Sequence, residues 1–213
     1  MKNIPLFTTE AGVASLILEQ VSFNKTAYVR IQSTLDADNL LQECIAFCRA
    51  VGAEQIYAAG DLGDRYGKAV SLIRMRRLRT GIEDNAGLLI PVNADNITKF
   101  QEIYNEAMRN IPGASGMNAS KASEMLKEGN GYFVYYKEEL VGIGVAAGEW
   151  IHTVIAQKKG MGQFVMQALN RVLVGDWIRV EVIESNIPAM RLYQRMGFTE
   201  YETVSNWKKI FQM

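Results

Sequence analysis

The stretch Ile155-Ala-Gln-Lys-Lys-Gly-Met-Gly-Gln-Phe164 constrains this chain more than any other, because it joins a strand-like run to an amphipathic helix through two nearby glycines. Before it, "EWIHTVIA" reads as a strand. After it, Phe164, Val165, Ala168, Leu169, Val172 and Leu173 recur at helical spacing, and "WIRVEVIE" comes next as another strand. Two glycines so close together cost stability unless the backbone must bend sharply or let something approach. Free backbone N–H groups at a helix N-terminus, reinforced by the helix dipole, make an anion site. Gly160 and Gly162 would let the backbone come close to the anion, and Lys158 and Lys159 would supply counter-charge. A tight strand-to-helix turn is the other reading. Neither the Gly-Lys-Ser/Thr ending of a phosphate-binding loop nor the three-glycine dinucleotide fingerprint is present.

The surrounding pattern supplies a topology. Strands at "VASLILEQVSF" and "TAYVRIQ" precede a helix at "ADNLLQECIAFCRAVG", a strand at "EQIYAAG" and a strand at "AVSLIRMRRL". Residues 80–96 read as a connection with one short strand, "GLLIPV". The next helix is at "ADNITKFQEIYNEAMRN", with Asp95 or Asn96 as its cap. After a loop and a short helix over "GASGMNASKASEMLKEG" come two strands around a tight turn at Lys137–Glu139, and then the strand that enters the glycine loop. Asn186 is a good N-cap for "NIPAMRLYQRMGF", Pro188 is tolerated in its first turn, and Gly197 stops it. One or two strands end the sequence. Hairpin strands leading into a strand–helix–strand crossover give a mixed α/β sheet with helices on its faces.

Composition excludes several function classes. Lys plus Arg equals Asp plus Glu at 23 each among 213 residues, so nothing favours a nucleic acid or an anionic membrane as partner. No apolar run reaches the roughly 18–20 residues that span a bilayer, and the opening "MKNIPLFTTEAG" lacks the apolar core of a signal peptide, so a cytoplasmic protein is expected. Cys44 and Cys48 share a helix face and read as core packing; with one histidine in the chain, no metal site is expected. Arg74, Arg76, Arg77 and Arg79 read as a solvated strand face rather than a phosphate patch.

Two segments together carry a resemblance. Gln157-Lys-Lys-Gly160-Met-Gly162 fills the pattern Gln/Arg-x-x-Gly-x-Gly/Ala. Asn186-Ile-Pro-Ala189-Met-Arg-Leu192-Tyr193-Gln-Arg-Met-Gly197-Phe198 fills Asn-x-x-Ala-x-x-Leu-Tyr-x-x-x-Gly-Phe. In that order and spacing they resemble the GNAT superfamily of N-acetyltransferases over residues 88–213. The resemblance implies a mixed, mostly antiparallel sheet flanked by helices, with acetyl-CoA as co-substrate and no metal. It implies that the strand before the loop and "WIRVEVIE" splay apart, that the pantetheine arm pairs with backbone at Thr153, Val154 and Ile155, and that Gln157, Lys158, Lys159, Gly160, Met161, Gly162 and Gln163 form or border the pyrophosphate loop. It places Asn186 beside the pantetheine arm and Tyr193 near the thioester sulfur. The usual Val-x-Pro-like spacer before the loop is short here. Residues 1–80, an α/β segment with neither motif, resemble a degenerate GNAT half-domain or form a small extension.

The resemblance implies an N-acetyltransferase that moves an acetyl group directly to a primary amine of a small molecule or peptide, as a monomer or homodimer. Tyr193 is then the general acid, with helix packing as its plainer role. The base stays open among Glu149, His152 and water, with Glu181 and Glu184 less specific; the ordinary pKa of a histidine suits the task. A non-catalytic module that binds or senses acyl-CoA is the alternative.

Overall fold

The structure, a computed structural model, describes residues 5–62, 66–67, 69–79, 87–109, 111 and 113–213. Residues 80–86 of the connection expected over 80–96 lie outside them. The chain divides into two compact units. Unit one holds Met1–Leu72, Pro112–Ser115 and Val204–Met213; unit two holds Ile73–Ile111 and Gly116–Thr203. Val204–Met213, expected within the 88–213 domain, therefore clusters with unit one.

In unit one, β1 (Leu6–Thr9), β2 (Gly12–Ile17) and β3 (Thr26–Thr34) form an antiparallel meander. Helix α2 (Ala37–Ala50) crosses over to β4 (Gln55–Ala59), which lies parallel to β3. The last part of β11 (Thr199–Gln212) pairs antiparallel with β4 through Lys208–Gln212. Asp36 caps α2, its carboxylate accepting from the N–H groups of Asp38 and Asn39. Leu40, Leu41, Cys44 and Cys48 turn one face of α2 onto Ala14, Leu16, Val29 and Ile56. Both thiols are free and buried, and burial pushes Cys48 up to about 11. The strand expected over 13–23 is shorter: β2 ends at Ile17, and Val21–Asn24 makes one helical turn, α1. Lys25 in the left-handed region closes that turn so the chain can run back as β3.

In unit two the strand order is β11-β5-β10-β9-β8-β7-β6. The strands are β5 (Val70–Leu78, from Ile73 on), β6 (Leu88–Pro91), β7 (Gly131–Tyr136), β8 (Glu139–Ala147), β9 (Trp150–Ala156), β10 (Trp177–Ile183) and the start of β11. Pairs β6/β7, β7/β8 and β8/β9 are antiparallel and β9/β10 is parallel, so the sheet is mixed and mostly antiparallel as expected. The β7–β8 turn is carried by Lys137 and Glu138, both at positive φ. Helices α5 (Gly162–Asn170) and α6 (Ile187–Arg195) pack on a cluster with Ile151, Val180 and Phe198; α3 (Ile97–Met108) and α4 (Ala119–Glu128) belong to a second cluster with Phe133, Ile143 and Ile155. At α3 neither expected cap residue caps by its side chain. Instead Asn93 accepts from the N–H groups of Asp95 and Asn96, and the Asn96 side chain turns back to Asn93.

Arginines of β5, and Arg79 just after it, are engaged by unit two itself. Arg74 pairs with Glu181 at 2.8 Å and Glu202 at 3.0 Å, Arg76 lies over Trp177 and Tyr201, and Arg79 holds Asn170. Helix α5 approaches the sheet closely because β8 presents glycine to it. A Cβ on Gly142 would lie 2.5 Å from both the Ile155 carbonyl oxygen and Val165 Cγ2; on Gly144 it would lie 2.3 Å from Leu169 Cδ1. Gly142→Ala should therefore force helix and sheet apart and cost about 1–3 kcal/mol. Gly67→Ala, with nothing within 4 Å, should be close to neutral. Thermal melts of the two variants check the contrast, and equal melting temperatures would mean that α5 has room to spare.

Candidate active site

Strands β9 and β10 run together only briefly. Their register pairs Trp150 with Arg179 and Ile151 with Val180, and among the described residues it goes no further toward Ala156. On its other edge β9 stays paired with β8 as far as Ala156. His152 through Ala156 thus have one backbone edge without a strand beside it. The joined end is pinned by Glu149, whose carboxylate accepts from Arg179 Nε at 2.9 Å and from the Trp177 N–H at 3.2 Å. Those partners, Arg179 first, hold the Glu149 carboxyl below its ordinary value. Glu149 is a brace for the strands and a poor proton acceptor. Glu181 is likewise tied to Arg74.

A cleft of about 400 Å³ opens at the parted end, lined among others by Val154, Gly160, Gly162, Gln163, Asn186 and Tyr193. The glycine loop brings Gly160 to φ +88°, a conformation closed to most side chains. The first intrahelical bond of α5 runs from the Val165 N–H to the Met161 carbonyl at 2.9 Å, and no side chain caps this helix. The N–H groups of Gly162 and Gln163, two residues that line the cleft, thus have no helical partners, while α6 is capped by Asn186, which accepts from the Ala189 N–H at 3.3 Å. Loop glycines and N–H groups without helical partners suit an anionic group such as a phosphate.

The structure brings together most, but not all, of the residues singled out in the sequence. Val154 lines the cleft, whereas Thr153 and Ile155 turn to the opposite face, with Thr153 bonded to Tyr104 and Ile155 in the α3/α4 cluster. Met161 packs half-buried against the α5/α6 cluster. Gln157, Lys158 and Lys159 are exposed beside the loop, and Lys158 is engaged by Glu139. That pair halves the counter-charge expected from the two lysines.

Tyr193 is 7% exposed, and burial pushes its phenol up to about 12. Its position is set by how α6 ends. The Phe198 N–H donates to the Tyr193 carbonyl at 3.0 Å and the Gly197 N–H to Gln194 at 3.0 Å, with Gly197 at φ +81°. This is a Schellman closure, and the Phe198 ring packs on the Tyr193 ring with centroids 5.7 Å apart. The sequence Tyr-x-x-x-Gly-Phe is the chemical requirement of that closure.

Sequence reasoning missed a β-bulge. Val145 pairs with Thr153 and Ala146 with Ile151, so His152 is the extra residue. The bulge interrupts alternation along β9, setting Ile151 and Val154 in one cluster and Ile155 in the other. His152 is exposed and stacks on Trp150 with ring centroids 6.2 Å apart. Among the described residues no group of three or more His, Cys, Asp or Glu could hold a metal, and no helix is long and apolar enough to cross a membrane.

No protein-family model and no curated protein sequence matches the chain. Solved structures do. A conserved protein of unknown function from Staphylococcus epidermidis aligns at TM-score 0.57 and 11% identity, over 98% of this chain and 94% of that one. A GCN5-related N-acetyltransferase from Sphaerobacter thermophilus aligns at TM-score 0.57 and 15% identity, over 94% of this chain and 77% of that one. Another from Kribbella flavida gives 0.52 at 12% identity, over 96% and 59% respectively. With the parted strands, the loop and the α6 closure already in place, these likenesses identify the architecture: the chain has the fold of the GCN5-related N-acetyltransferases.

Proposed function

We propose that this chain is an acetyltransferase that moves the acetyl group of acetyl-CoA onto a primary amine. The observation that carries the reading is the cleft between the parted ends of β9 and β10, where the glycine loop, Asn186 and Tyr193 converge. The N–H groups at the start of α5 would hold the pyrophosphate. The unpaired edge of His152–Ala156 would bond the amides of the pantetheine arm. No metal enters the chemistry we assign to these residues.

The reaction needs a neutral amine, and a free alkyl amine has a pKa of about 10. The amine nitrogen bonds to the thioester carbonyl carbon, the carbon–sulfur bond breaks, the nitrogen loses a proton and the sulfur gains one. Tyr193 is the group we assign to the sulfur: neutral and buried, it can donate and then be reprotonated. With Glu149 tied to Arg179, the amine proton passes to water or to His152. The same engagement of Glu149 favours a second reading, an acyl-CoA-binding module without catalysis. Thiol release from acetyl-CoA over a panel of amines separates the two: thiol appearing only with an amine supports the enzyme, and CoA binding without turnover supports the module.

The residue assignments have three measurable outcomes. Gly160→Val should weaken CoA binding tenfold or more, since the side chain opposes a φ of +88° and blocks backbone approach. Calorimetry that gave an unchanged affinity would reduce the loop to a turn. Tyr193→Phe should slow turnover by about a hundredfold while acetyl-CoA binding and melting temperature stay put; wild-type turnover would leave the ring as packing. In an absorbance titration, the difference between wild type and Tyr193→Phe should show one phenol ionising near 12 rather than near 10. Because the folded-state value is raised, Tyr193 leaves stability independent of pH below 10 and destabilises the fold as pH climbs toward 12. A phenol titrating near 10 would contradict its burial.

A further inference from the structure

Thr153 faces away from the cleft into a second pocket of unit two, about 330 Å³ in volume, that also reaches Tyr104, Glu124, Glu128, Asn130 and His152. Its polar groups are unevenly distributed. At the end formed by α4, Glu124 and Glu128 stand four residues apart on one helix face, where like charges repel. Asn130 lies beside them, 6% exposed. Its Nδ2 donates to Glu128 Oε2 at 2.5 Å, and its Oδ1 has no hydrogen-bond partner. A buried acceptor without a donor is costly, and native structures seldom leave one without reason. Lys121 also lines the pocket, with its ammonium 3.2 Å from the Gly116 carbonyl. Against two carboxylates it leaves this end one charge negative. Met125 and Val145 line apolar wall, and Thr153 and the bulged His152 belong to β9 at the stretch where β10 has parted from it.

We infer that this pocket takes the acceptor and selects an aliphatic amine carrying a second cationic nitrogen. One ammonium is held by Glu124 and Glu128, which supply acceptors and negative charge for its N–H donors, and a turn of the Asn130 side chain brings its enclosed Oδ1 onto the same ammonium. A methylene spacer lies along Met125 and Val145. The other nitrogen, as the free amine, is presented beside Thr153 and His152, where the sheet is open toward the thioester. The inference rests on the acetyl-transfer reading and names its substrate class. The product keeps its distal ammonium and has one amide in place of the reacting amine.

Calorimetry on the full chain with putrescine and with butylamine tests it, with CoA titrated separately. Putrescine should bind at least tenfold more tightly than butylamine. Glu128→Gln, which keeps the shape of the side chain, should cut putrescine affinity at least fivefold and leave CoA affinity alone. Glu124→Gln serves as a second probe should the first variant melt early. Equal affinity for the two amines, or putrescine affinity indifferent to both substitutions, overturns the inference. CoA binding together with either of those results would leave acetyl transfer standing and sink only the diamine pocket. Selective putrescine binding without CoA binding would keep the pocket and sink acetyl transfer.

Discussion

The parting of β9 from β10 is the constraint on which unit two depends. Parallel strands are normally bonded along their length, and a backbone edge abandoned inside a protein is expensive. Here the ladder stops after Ile151 and Val180, and the two strands are held at their joined end by Glu149, Arg179 and the Trp177 N–H. The carboxylate that looks most like a base from its place in the sequence is therefore the clamp that lets the strands separate beyond it. On the open side lie the unpaired edge of β9, the uncapped start of α5 and the face of α6 from Asn186 to Tyr193.

Glycine does two different jobs in making that arrangement. In β8, Gly142 and Gly144 remove the side chains that would keep α5 away, so the helix seats Val165 and Leu169 directly on the strand. In the loop, Gly160 adopts a backbone angle that aims the chain into the helix. The first is a matter of space and the second of dihedral freedom. Together they fix where the N-terminus of α5 lies, and so where an anion would be held.

The sequence made the loop and the α6 segment legible because both are local. Asn186 caps the first turn of α6, and Gly197 and Phe198 close its last turn, so a short window contains the whole physical reason for the pattern. The order of strands and helices was readable for the same cause. The features that could not be read came from pairing between distant residues. The bulge at His152 exists only relative to Val145 and Ala146, and it defeats the simple alternation that would set Ile151, Thr153 and Ile155 on one face. Lys158 looks like a free cation until Glu139, in the neighbouring strand, is seen to hold it. Glu124, Glu128 and Asn130 carry no motif; only the folded chain brings them into one pocket with Tyr104 and Thr153.

The order in which the ribosome makes this chain does not match the order in which its units can be finished. Strand β4 receives its antiparallel neighbour from Lys208–Gln212, which are synthesised after the whole of unit two. During translation the first unit must wait with one side of its sheet open, an edge of the kind that invites pairing with other nascent chains. Alterations to Val204–Met213 are therefore felt by a unit whose other strands were made well before them.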